Sequence, residues 1–162
     1  MAILLFLIFA PSHSELSYTP NFSLRSLNNE MVVLDSLTSK GIVIVGFWAT
    51  WCKSCVQELD AWKKLSKEFK DITFVAINED GPRTRVKVPL MVKAHKWEFL
   101  ILYDEDKKVM TQFQVQPIPH TFIISRDREL LYQHIGFAKK DEEILRHKLK
   151  SMLPPDTTHT DK

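Results

Sequence analysis

The chain's strongest pattern is an unbroken apolar run that hands over to a helical one. Ile42-Val43-Ile44-Val45 leads through Gly46 to Phe47 and Trp48, and from Val56 onward apolar residues recur at Leu59, Trp62, Leu65 and Phe69. The first run predicts a strand from Ile42 to Phe47 that is buried on both faces, as in a sheet sandwiched by helices. The second has i, i+3, i+4 spacing, with Lys63, Lys64, Lys67 and Glu68 on the opposite side, and predicts a helix from near Cys52 to near Phe69.

The rest of the chain alternates in the same way. Phe22–Leu24 and Met31–Leu34 are short apolar runs parted by Asn28-Asn29, and they predict a hairpin covering one edge of the sheet. Ile72–Asn78 is the next buried strand, ended by Glu79-Asp80-Gly81-Pro82. Leu90–Trp97 predicts a second helix with Pro89 in its first turn, where the missing N–H costs nothing. Phe99–Tyr103 is a strand, and Asp104-Glu105-Asp106 places negative charge at the start of a short helix reaching Phe113. Thr121–Ser125 and Leu130–Ile135 predict a hairpin, and Asp141 is expected to cap a last helix to Leu153. This order predicts an α/β protein with a central mixed β-sheet flanked by helices.

At the ends the pattern changes. Ala2 to Ala10 is apolar throughout and is followed by Pro11-Ser12-His13-Ser14. The run is too short to span a bilayer, which takes roughly 20 residues, but it fits the apolar region of a secretory signal. No Lys or Arg precedes it, so only the α-amino group supplies positive charge there. The reading is a signal peptide or N-terminal anchor over 1–13, one domain over 14–153 and a disordered polar tail over 154–162. Export would place the protein in a periplasmic or other extracytoplasmic space, and an uncleaved N-terminus would anchor it to the membrane.

Composition changes little. The 162 residues are 44% hydrophobic and 26% charged with net charge +2, and the Lys and Arg residues are scattered, so nothing points to nucleic acid. The two cysteines change the picture most. Cys52 and Cys55 are the only ones, and they sit where the central strand hands over to the long helix. Positions i and i+3 share a helix face, so the two sulfurs can close a disulfide. The free N–H groups and dipole of a helix start favour a thiolate at Cys52, which makes it the expected nucleophile. Cys55, one turn further in, is the expected resolving thiol. A structural zinc site needs four ligands, and the six histidines are too dispersed to complete one. A merely structural disulfide across so short a ring constrains the unfolded chain little.

Phe47-Trp48-Ala49-Thr50-Trp51-Cys52-Lys53-Ser54-Cys55 resembles the active-site strand and turn of the thioredoxin fold. With Glu58 three residues on, it is similar to the exported thioredoxin-like reductases of the TlpA/ResA type, a group that includes the thioredoxins of cytochrome c maturation. The resemblance runs from about Pro20 to Leu153. It implies an N-terminal β-hairpin, an inserted α-β element near residues 84 to 103, and a cis-proline beside the cysteines at Pro119. It also implies that Glu58, shielded by Trp48 and Trp51, shuttles the proton of Cys55, and that Ile118 presents its backbone to an extended substrate.

Three departures stand out. Gly46 replaces the buried aspartate of cytosolic thioredoxins, Lys53-Ser54 lies between the cysteines, and His120 follows the proline. His120 is expected either at the rim of the site or as a group that tunes Cys52. The implied activity is reduction of disulfides in partner proteins, with catalytic residues Cys52, Cys55 and Glu58. The substrate-binding residues are Trp48, Trp51, Ile118, Pro119 and His120. The partners are disulfide-containing or dithiol proteins and a membrane or periplasmic electron donor; the protein is expected to be a monomer needing no cofactor and no metal. Two alternatives share the architecture. One is a copper-binding assembly factor with His134 as third ligand, and the other is a thiol peroxidase.

Overall fold

The computed structural model describes residues 18–153; the expected signal segment and the expected tail lie outside them. At its centre stands β3 (Val43–Trp48), and every residue of it is buried, as its apolar run requires. It pairs in parallel with β4 (Thr73–Asn78) and antiparallel with β6 (His120–Ile124). With β1 (Ser23–Ser26), β2 (Met31–Val33), β5 (Leu100–Tyr103) and β7 (Leu130–Ile135) they form one seven-stranded sheet in the order β2-β1-β5-β4-β3-β6-β7. The β1–β2 hairpin does cover one edge, through antiparallel pairing of β1 with β5.

The alternation of side chains along each strand splits the core in two. One face carries α2 (Lys53–Glu68), α3 (Val88–His95) and α5 (Asp141–Met152), and here Ile44, Trp48, Cys55, Leu59, Trp62 and Leu149 cluster. The other face carries α1 (Leu34–Thr38) and α4 (Lys108–Gln112), over Val43, Val45, Phe47, Phe113 and Phe122. Leu59, Trp62 and Leu65, spaced at i, i+3 and i+6, are fully buried. At roughly 1.5–3 kcal/mol for each large apolar side chain, they fix α2 on the sheet.

Three local expectations are corrected. The strand expected over Met31–Leu34 stops at Val33, and Leu34 opens the five-residue α1 with its side chain fully buried. The helix expected over Leu90–Trp97 runs instead from Val88 to His95, after a turn of 3-10 helix at Arg85–Lys87, and Pro89 does occupy its first turn. Asp141 does not cap α5 but is its first residue, and its Oδ2 accepts the Ala138 N–H at 2.6 Å.

Gly46 is a packing requirement. A Cβ there would lie 2.5 Å from Cη2 of Trp62, whose side chain is fully buried and has nowhere to move. Gly46→Ala is therefore expected to destabilise the fold by about 2–3 kcal/mol. The check is a lower urea midpoint at unchanged m value; an unaltered midpoint would show that Trp62 can yield.

Candidate active site

Cys52 sits between β3 and α2 as the N-cap of the helix. A Ser or Asp oxygen usually accepts the free amides of a helix start; here the Cys52 sulfur does so, taking the Cys55 N–H at 3.2 Å. Ser54 Oγ lies 3.5 Å from the same sulfur. Cys52 and Cys55 are joined in a disulfide with their Cα atoms 5.2 Å apart. Cys52 is 7% exposed and Cys55 not at all, so only the leading sulfur faces solvent.

The turn before Cys52 is clamped from the neighbouring strand. Asp80, just beyond β4, accepts the Thr50 N–H at 2.7 Å and the Thr50 hydroxyl at 2.8 Å. Its Oδ2 also accepts from Asn78 Nδ2 at 2.8 Å. Burial alone would raise this carboxyl, but the donors of Asn78 and Thr50 outweigh it and hold it below the usual range. In the sequence Asp80 reads only as turn material, and no spacing links it to Thr50.

The second half of the site is the segment before β6. The Ile118–Pro119 peptide is cis, as the resemblance implies. The Ile118 carbonyl oxygen lies 3.9 Å from Cys52 Sγ, so two segments 66 residues apart meet at the sulfur.

The expected site residues divide. Trp51 is 67% exposed and stands at the rim. Trp48 is 1% exposed and packs edge-on against Trp97, 5.3 Å between ring centroids, so it supports the site and offers a docking partner no surface. Because Trp51 is exposed, it does not shield Glu58 as expected.

His120 is also corrected. It is not at the rim: it is 5% exposed, stacks on Phe122 at 4.2 Å and meets Gln133 Oε1 through Nε2 at 3.2 Å. Its register partner is Phe47, which places it with Phe122 on the sheet face opposite the cysteines. Burial holds its pKa below the ordinary histidine value. Alternation puts the next residue, Thr121, on the cysteine side. There the Thr121 hydroxyl donates to Glu58 Oε1 at 2.6 Å, a contact the sequence reading missed by one position.

Glu58 is 3% exposed, one turn below Cys55 on α2. The elements around it are α2, β6, β7 and α5. Burial, against the lowering effect of the Thr121 hydroxyl and with a further push from Asp141, raises its pKa to about 8. Gly46 and Trp62 explain why the acid comes from α2: the ring fills the space that a side chain on β3 would need. Among the described residues, no group of three or more His, Cys, Asp or Glu could hold a metal, and His134 instead meets Asp141 at 3.3 Å. A hollow of about 450 Å³, lined by Leu27, Phe74, Trp97 and Phe99 among others, lies toward the opposite end of β4 and β5 from the cysteines.

A capped CxxC disulfide at the carboxyl end of the central strand, opposed by a cis-proline, defines a thiol-disulfide oxidoreductase on the thioredoxin fold. The AhpC/TSA family profile matches residues 17–133, and the chain belongs to that family. The thiol-disulfide oxidoreductase ResA of Bacillus subtilis (strain 168) is 30% identical over 149 residues, spanning 91% of this chain and 80% of that protein. The thioredoxin-like protein YneN of the same strain is 34% identical over 125 residues, 76% of this chain and 72% of its own length. Among solved structures, a Chlorobium tepidum protein assigned as a thiol:disulfide interchange protein DsbE superposes with a TM-score of 0.78 at 26% identity. That superposition covers 85% of this chain and 96% of the other.

Proposed function

We propose that this oxidoreductase is exported and reduces disulfides in partner proteins. Cys52 attacks the substrate disulfide, Cys55 resolves the mixed disulfide, and Glu58 takes the Cys55 proton. Trp51 and the Ile118–Pro119 segment form the docking rim, where the Ile118 backbone can pair with an extended substrate. The observation that carries the dithiol mechanism is Glu58, an acid buried one turn from a thiol that has no access to water. A fully buried Cys55 needs a local proton acceptor, and one with a pKa of about 8 is poised near the working pH.

Export rests on the apolar run before Pro11. The reducing direction rests on the resemblance to the TlpA/ResA-type reductases, which also suggests a membrane or periplasmic electron donor and a setting such as cytochrome c maturation. The working unit is a monomer of one domain over 14–153. The test is the reduction potential of the Cys52–Cys55 couple in a glutathione or dithiothreitol redox buffer. A value of about −250 mV is expected of a reductant, and one of about −120 mV would mark an oxidant and overturn the direction.

A further inference from the structure

The three most exposed large apolar side chains among the described residues lie in two stretches that the fold ties together. Trp51 at the rim is 67% exposed, and Val86 and Leu90 are 70% and 72% exposed. Asp80 holds Thr50, next to Trp51, and from Asp80 the chain passes through the Gly81–Thr84 turn into the 3-10 turn and α3. Val86 and Leu90 stand one helical turn apart on the side away from the sheet, whereas Val88 and Val92 face it and are buried. The exposed pair adds nothing to the core, so the fold does not require it.

Positive charge accumulates on the same face. Between Gly81 and Trp97 stand five Lys or Arg residues and no Asp or Glu; the whole chain has a net charge of +2, so the remainder is net negative. Arg85 is paired with Glu105, and His95 meets Asp60. Arg83, Lys87 and Lys93 are exposed, and among the described residues no carboxylate lies within ion-pair distance of them. Lys87 and Lys93, three residues before and after Leu90, flank it on one helix face. The acids just upstream, Glu79 and Asp80, are buried and present no carboxylate at the surface. An apolar ridge edged by unpaired cations is complementary to an apolar segment that bears carboxylates.

We propose that Arg83, Val86, Lys87, Leu90 and Lys93 form a docking surface for the partner protein, seating an acidic, apolar-rich segment that lies beside its disulfide. The proposal rests on the reading that Cys52 attacks a disulfide of a partner protein. Position selects a protein over a lipid surface as the occupant. The face adjoins the Trp51 rim through the Thr50–Asp80 hydrogen bonds, and a partner whose disulfide reaches Cys52 lies against that rim. Trp51 and the Ile118 backbone hold the residues at the disulfide itself, and the α3 face adds contacts farther along the partner. It thereby discriminates among disulfides that Cys52 alone would attack alike, and its charge speeds encounter before contact is made.

The test uses two synthetic peptides with the same internal disulfide and the same Leu and Phe residues, one carrying Asp and Glu beside them and the other Lys. The uncharged dipyridyl disulfide is a third substrate, small enough to touch only the CxxC rim. The variants are Lys87→Glu/Lys93→Glu and Val86→Ser/Leu90→Ser, all at exposed positions, and circular dichroism checks their fold. In dilute buffer the reduced wild-type protein is expected to attack the acidic peptide about tenfold faster than the Lys peptide, with the gap closing at high salt. Lys87→Glu/Lys93→Glu should abolish or reverse that preference. Val86→Ser/Leu90→Ser should slow attack on the acidic peptide about three- to fivefold, with little dependence on salt. Both variants should reduce the dipyridyl disulfide at the wild-type rate. Equal wild-type rates on the two peptides, or a preference that survives charge reversal, would overturn the docking surface. Binding of the wild type to phosphatidylglycerol vesicles, lost in the variants while all peptide rates match, would overturn it in favour of a lipid. A wild-type protein that reduces none of the three substrates would overturn the reductase reading, and the docking surface with it.

Discussion

Replacing Cys52 with alanine is expected to abolish disulfide reduction, with a loss of about a thousandfold or more in an insulin-reduction assay driven by dithiothreitol. Cys55→Ala is expected to lose turnover as completely but to retain the first step. It should accumulate a stoichiometric mixed disulfide through Cys52, read by mass spectrometry under non-reducing conditions. The asymmetry follows from position. Cys52 is the sulfur with solvent access, at the start of α2, and it takes the Cys55 N–H. Cys55 is sealed under the first turn with no exposure. An incoming disulfide can therefore reach only Cys52, between Trp51 and the Ile118 carbonyl. Mixed disulfide accumulating on Cys55 in the Cys52→Ala variant would reverse the assignment.

The second large effect concerns stability. Glu79, immediately after β4, is 3% exposed and neither of its carboxyl oxygens has a hydrogen-bond partner. Burial first, and then the nearby Asp104 carboxyl, push its pKa from 4.5 up to about 8. Glu58 is raised to about 8 by burial as well. A carboxyl raised in the folded state binds more protons there than in the unfolded chain between those two values. Stability is thus fully present below about pH 4.5 and is lost as pH rises through about 8. At 1.36 kcal/mol per pH unit of difference, the loss is at most about 5 kcal/mol for each carboxyl.

Glu79→Leu is expected to remove the Glu79 share and to stabilise the protein by about 2–4 kcal/mol at mildly alkaline pH, with little effect at pH near 4. Urea unfolding of the oxidised protein at several pH values, with Glu58→Gln in parallel, separates the two contributions. A Glu79→Leu variant with the wild-type pH slope would show that Glu79 titrates normally.

Much of the fold is legible from periodicity because the elements that set it are long and one-sided. The all-apolar β3 and the sixteen-residue α2 announce themselves, and their junction places the cysteines. The five-residue α1 does not, because its first residue continues the apolar run of β2 and so few residues carry no period. In the site, Cys52, Cys55 and Glu58 are readable because they are i, i+3 neighbours on one helix. Asp80 is invisible, since its hydrogen bonds to Thr50 cross from one strand end to the next. His120, expected at the rim or beside Cys52, lies on the other face for a simpler reason. After a cis-proline whose orientation the sequence does not give, the phase of the strand's alternation is open, and a shift of one residue exchanges His120 for Thr121.

The sulfur that caps α2 is the sulfur that reacts. In this protein the first hydrogen bond of a sixteen-residue helix and the leading atom of the redox couple are a single atom. Its charge on reduction and its divalency on oxidation present the Cys55 amide with two different acceptors, so the start of the helix registers each turnover. Architecture and reactivity are therefore not independent variables at this point of the chain. Any substitution that alters how α2 begins also alters the chemistry, and any change in the chemistry is felt as a change in how firmly the helix begins.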